Sequence, residues 1–131
     1  MADINSHMSR LGVIVIDCKG DDLTDASAFW SGALGYEFKI DDDGKYAVGS
    51  SPAGEPRVLL QHVGHDSRVH LDIETDHPDS EQARLEALGA HVVEHCSKGW
   101  TVMEPPTGHR FCIVNPQRDD FAANANVWSN G

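Results

Sequence analysis

One order of elements is written twice along this chain, and that repetition restricts the fold more than any single motif does. Leu11–Asp17 (LGVIVID) is a β-branched run, apolar on both faces, as in a buried strand. Residues 23–34 place Leu23, Ala26, Trp30 and Leu34 at helical spacing, and Gly35 supplies a stop. Short strands at 36–40 and 45–48 flank Asp41-Asp42-Asp43-Gly44, whose Asp-Gly step signals a hairpin. Residues 50–56, with two prolines and a glycine, form a loop, and 57–63 (RVLLQHV) is another strand. The order then restarts. Residues 68–75 (RVHLDIET) alternate like a half-wet strand, and His77-Pro78-Asp79-Ser80 carries the chemistry of a helix start. The following helix has Leu85 and Leu88 as its apolar anchor and stops at Gly89. Strands at 91–96, 101–103 and 110–114 complete the second set, and Ala33-Leu34-Gly35 echoes Ala87-Leu88-Gly89.

Each set reads β-α-β-β-β, and a unit of this kind must bury its sheet face against a partner. The expected architecture is therefore α+β: two tandem βαβββ modules, about 9–63 and 68–115, forming a curved mixed sheet with a concave ligand cleft. A ferredoxin-like βαββαβ sandwich demands fewer strands than the pattern provides. Residues 1–7 of MADINSHM read as an expression scar, the domain as 8–117, and 118–131 as a polar tail with Phe121, Val127 and Trp128 as docking residues. At 131 residues a single domain with its own core is expected.

Charge narrows the partners. Ten Lys plus Arg against 21 Asp plus Glu give a formal charge of −11, which disfavours nucleic acid and anionic membrane surfaces. A cationic or neutral small molecule suits that field. Three separated cysteines form no disulfide framework, so a reducing cytoplasm is expected, and no apolar run is long enough to span a bilayer.

Period two places His70, Asp72 and Glu74 on one face of the 68–75 strand and Val69, Leu71 and Ile73 on the other. The aliphatic face is expected to meet the helices, leaving the polar face to line the cleft. By the same parity Arg110, Cys112 and Val114 share a face. A histidine, carboxylates and a thiol in one cleft can perform general acid–base chemistry or hold an amine. His70 can equally be a hydrogen-bonded cavity residue, and both readings stay open. Trp100, beside a turn, is placed to line the same pocket.

Four stretches resemble the vicinal oxygen chelate superfamily, which includes glyoxalase I, bleomycin-resistance proteins and extradiol dioxygenases. They are Val15-Ile16-Asp17 leading into Ala28-Phe29-Trp30-Ser31-Gly32-Ala33-Leu34-Gly35; Val69-His70-Leu71-Asp72; Ala87-Leu88-Gly89-Ala90; and 106–114 (PTGHRFCIV). The likeness is to a small glyoxalase-like branch common in bacterial genomes. The resemblance implies four metal-ligand positions in metal-using members, which fall here on Arg10, on Gln61 or one residue either side of it, on His70 and on Cys112. His70 matches, Gln61 offers an amide oxygen, and Arg10 cannot ligate a metal. This set argues against a glyoxalase I metal site, leaving no cofactor assigned and a divalent metal as the minor possibility.

Two functions follow from the resemblance. One is an enzyme with lyase or isomerase chemistry on a small polar metabolite, with His70 as acid–base residue, Asp72 or Glu74 orienting it, and Gln61, Trp100, Arg110 and Cys112 contacting ligand. The other is a sequestering protein of the bleomycin-resistance type. A homodimer is implied in either case. His91-Val92-Val93-Glu94-His95 matches a zinc-peptidase pattern, but it follows a glycine stop and reads as a strand. Asp41–Gly44 reads as a solvated turn rather than a calcium loop.

Overall fold

The computed structural model describes residues 5–130. The doubled order is present. Strand β1 (Ser6–Lys19), helix α1 (Thr24–Leu34) and strands β2 (Phe38–Ile40), β3 (Tyr46–Gly49) and β4 (Arg57–Val63) form the first set. Strand β5 (Arg68–Thr75), helix α2 (Pro78–Ala87) and strands β6 (His91–His95), β7 (Thr101–Glu104) and β8 (Phe111–Val114) form the second. A short helix α3 (Phe121–Asn124) and strand β9 (Asn126–Ser129) follow. The chain is α+β, and both sets share one topology. In each, the opening strand runs parallel to the closing one, β1 with β4 and β5 with β8, while the other neighbours are antiparallel.

The chain divides into two compact units, Val13–His70 and residues 5–12 with 71–130. In the Val13–His70 unit the strand order is β2-β3-β4-β1. Leu23, Phe38, Ala47 and Leu60 are buried together, with Ile16, Ala26, Trp30 and Tyr36 packed around them. Burying side chains of this size contributes about 1.5–3 kcal/mol each. The rings of Tyr36 and Phe38 stack at 5.5 Å. Gly49 makes room for them, since a Cβ there would lie 2.8 Å from an atom of either ring. Helix α1 ends where Gly35 takes the left-handed conformation (φ 81°) and donates its N–H to Ser31. Leu34, placed on the apolar stripe by its spacing, is exposed instead.

In the other unit the first half of β1 lies beside β5, followed by β8, β7 and β6, with β9 antiparallel to β1. Its apolar core is smaller: Leu85, Met103 and Ile113, with Ile73, Ala90, Val92 and Phe111 around them. Buried ion pairs supplement it. Arg10 Nε donates to Glu74 Oε1 at 2.6 Å, and its terminal nitrogen reaches Asp120 Oδ1 at 2.8 Å. The Gln117 N–H takes the second Glu74 oxygen at 2.8 Å. His7 meets Glu81 Oε1 at 2.7 Å, Arg84 grips both Glu81 oxygens, and the Arg84 guanidinium stacks 4.0 Å above Trp128.

Several sequence expectations are corrected here. Strand β1 begins at Ser6 rather than Leu11, so Ser6 and His7, set aside with residues 1–7, take part in the fold. The polar tail docks through two of its three expected residues: Phe121 is buried, and Trp128 Nε1 donates to Ser9 Oγ at 2.8 Å. Val127, expected to dock, faces outward. Leu88 is 67% exposed and leaves Leu85 as the anchor of α2. Val69 and Leu71 are likewise exposed, while Ile73 packs on the Leu85 cluster. The lengths explain this. A helix of 10 residues is about 15 Å long, whereas a strand of 8 residues runs about 26 Å, so α2 covers only part of β5.

Candidate functional site

Strand register brings polar residues from distant sequence positions into one row. In β1 the apolar run ends at Asp17, whose partner on β4 is Gln61, and Gln61 pairs with Tyr46 on β3. Directly paired residues point to the same face of a sheet. Gln61 Nε2 lies 3.5 Å from the Tyr46 hydroxyl. On the Ile16–Leu60 side the same strands face the apolar core, so the opposite face is left to Asp17 and Gln61.

Asp17 is 3% exposed, and its Oδ2 accepts from His70 Nδ1 at 2.9 Å. The Arg68 Nε stands 3.7 Å from the same oxygen. Asp17 Oδ1 is buried with no hydrogen-bond partner among the described residues. Cys18 faces the other way. Burial first, and the charge of Asp17 second, push its thiol pKa up, which makes it a poor nucleophile.

On β5, His70 and Asp72 are alternate residues, and Asp72 pairs with Cys112 on β8. One donor atom from each of His70, Asp72 and Cys112 lies within 4.8 Å of the other two, and all three side chains are half-buried. An imidazole, a carboxylate and a thiol at this spacing can relay a proton and hydrogen-bond a polar ligand. The same three atom types are ones that a divalent cation such as zinc accepts.

The structure thus brings together His70, Asp72 and Cys112, and places Gln61 in the row that ends at Asp17. Glu74 is committed elsewhere: fully buried, with Arg10 and Gln117 on its oxygens. Arg10, at the first family ligand position, is taken up by its ion pairs with Glu74 and Asp120. Trp100 is half-buried just ahead of β7, its carbonyl accepting from Cys96 N–H at 2.8 Å. Arg110 is exposed immediately before β8. Sequence reasoning missed Asp17, Tyr46 and Arg68 as site residues. A lone carboxylate closing a β-branched run was the signal for Asp17, but its partner was visible only through strand register.

The competing motifs resolve structurally. His91 and His95 lie in β6, where His91 Nε2 meets Glu104 at 3.2 Å and His95 meets Thr101 at 3.2 Å; the zinc-peptidase helix is not formed. Asp41 closes the β2–β3 turn, its Oδ1 accepting from Lys45 N–H at 3.0 Å. Among the described residues, no helix is long and apolar enough to cross a membrane.

The family described as the glyoxalase-like domain matches residues 13–114. Among solved structures, the chain is similar to methylmalonyl-CoA epimerase from Mycobacterium tuberculosis, at 18% identity over 87% of this chain and 91% of that one, with a TM-score of 0.58. The Streptomyces coelicolor methylmalonyl-CoA epimerase, in complex with 2-nitronate-propionyl-CoA, gives 18% identity, coverage of 85% and 99%, and a TM-score of 0.56. The Mn(II)-bound glyoxalase from Novosphingobium aromaticivorans gives 19% identity, coverage of 87% of this chain and 42% of that one, and a TM-score of 0.58. At these identities the likeness is one of fold. No curated protein matches the chain.

Proposed function

Because the chain belongs to the glyoxalase-like domain family, within the vicinal oxygen chelate superfamily, we propose that it binds a small polar metabolite on the face carrying His70, Asp72 and Cys112, and that His70 exchanges a proton with it. The observation that carries this is the convergence of three chemically different donor atoms within 4.8 Å. His70 acts as acid–base residue and Asp72 as the ligand-orienting carboxylate, with lyase or isomerase chemistry as the reaction class. Glu74 is withdrawn from that role, because its oxygens already hold Arg10 and the Gln117 N–H. Gln61, Trp100 and Arg110 are retained as ligand contacts, to be tested singly by substitution. Three cysteines, none of them in a disulfide among the described residues, suit a reducing cytoplasm; a homodimer is proposed from the resemblance alone, and light scattering checks it.

The second reading is sequestration without turnover. The net charge of −11 favours it for a cationic ligand. A thermal-shift panel of small cations, anions and neutral hydroxy-acids tests both readings. A true ligand at a hundredfold excess over Kd stabilises by about 2.7 kcal/mol. The expected result is a shift lost in His70→Ala and in Asp72→Asn. Conversion of that ligand into product distinguishes enzyme from binder, and no shift with any class overturns the site. Elemental analysis of wild type against His70→Ala decides whether His70, Asp72 and Cys112 take a divalent cation, which would supply Lewis-acid polarisation of the ligand.

A further inference from the structure

We infer that Asp17, outside the His70–Asp72–Cys112 group, is the positioning residue of the site: it fixes the tautomer of His70 so that Nδ1 carries the proton and Nε2 does the chemistry. This deepens the proposed role of His70 and rests on it, but the hydrogen bond can be measured without any ligand.

The neutral imidazole has one N–H and one lone pair, and the partner of one nitrogen decides which is which. Asp17 Oδ2 lies 2.9 Å from Nδ1, and an ionised carboxylate only accepts. Nδ1 must therefore donate, which leaves the lone pair on Nε2. Arg68 Nε stands 3.7 Å from the same oxygen, on the carboxylate that His70 Nδ1 meets. Asp17 is held rigidly: it is an interior residue of a 14-residue strand, with Gln61 as its register partner.

A structural carboxylate buried to this depth is expected to have both oxygens satisfied. Asp17 does not, since Oδ1 is buried without a hydrogen-bond partner among the described residues. Leaving such an oxygen unpaired costs on the order of 1–3 kcal/mol. Glu81, equally buried, shows the contrast: Arg84 takes both its oxygens and His7 shares one. Asp17 keeps a carboxylate where a smaller apolar residue would suit a β-branched strand, and the one bond it makes to an imidazole is the one that sets the proton position.

The test is imidazole nitrogen NMR on 15N-labelled full-length protein at about pH 8.5, two units above the ordinary imidazole pKa of about 6.5. His70→Gln assigns the His70 signals by their disappearance. Wild type is expected to show His70 as the Nδ1–H tautomer. In Asp17→Asn the amide can donate to Nδ1, so the pattern should move to Nε2–H with the backbone spectrum otherwise retained. A wild-type His70 that is mainly Nε2–H overturns the inference, as does a folded Asp17→Asn protein with the Nδ1–H pattern unchanged. Should Asp17→Asn fail to fold, the wild-type tautomer alone decides. A ligand panel that finds nothing defeats the proposed function while leaving this measurement standing.

Discussion

The two units solve one packing problem with different chemistry. Val13–His70 is held by Leu23, Phe38, Ala47 and Leu60, with aromatic rings around them. The other unit clusters Leu85, Met103 and Ile113, and adds Glu74–Arg10–Asp120 and His7–Glu81–Arg84 as polar links around buried Glu74 and Glu81. The difference teaches where stability is specific. Apolar burial tolerates approximate fit, whereas a buried charge demands its partner, because removing one member strands the other. The polar links also join elements far apart in sequence, from the first described residues to Trp128.

The largest test of that contrast is Glu74→Ala. It leaves the Arg10 guanidinium largely buried beside an empty space, and roughly 3–5 kcal/mol of destabilisation is expected from denaturant unfolding. The double variant Arg10→Met/Glu74→Met should recover much of that loss; if it does not, the pair is more than a packing device. Leu60→Ala, in the apolar unit, is expected to cost about 2–5 kcal/mol by the same measurement. Gly12→Ala comes next, at roughly 1–3 kcal/mol, because the new methyl would lie 2.6 Å from Glu74 Cδ, and Glu74 cannot move without releasing Arg10.

Acid should separate the units more gently. Burial pushes the Glu81 carboxyl up, but hydrogen bonds from Arg84, His7 and Ser9 together outweigh it and hold the pKa below the ordinary 4.5. A lowered folded pKa means the stabilisation is complete above the unfolded value and is lost as pH falls through the folded one. Thermal unfolding of wild type should therefore lose stability below about pH 4.5, and Glu81→Gln should flatten that limb of the curve. The smallest effect is expected at Leu88. Being 67% exposed, it should tolerate serine within about 0.5 kcal/mol, which would confirm that Leu85 alone anchors α2.

Much of the site was legible in part. Strand parity alone put His70 and Asp72 on one face, and Cys112 on one face with Arg110 and Val114, because side-chain alternation is a local property; that Asp72 pairs with Cys112 came only from the register. Parity also put Glu74 on that face, yet its neighbours are Arg10 and Gln117, which no local pattern relates to it. Asp17 escaped for the same reason: its meaning lies in a bond to a residue 53 positions away.

The sequence by itself determined the doubled β-α-β-β-β order, the glycine stop of α1, the Asp41 turn and the alternation of β5, since propensity, capping and periodicity act over a few residues. Tertiary structure alone decided that β1 reaches back to Ser6, that the tail returns as β9, which leucines are covered, and which carboxylates face arginine rather than the site. Those outcomes depend on helix length against strand length, on register, and on charges that find each other only once the chain has folded.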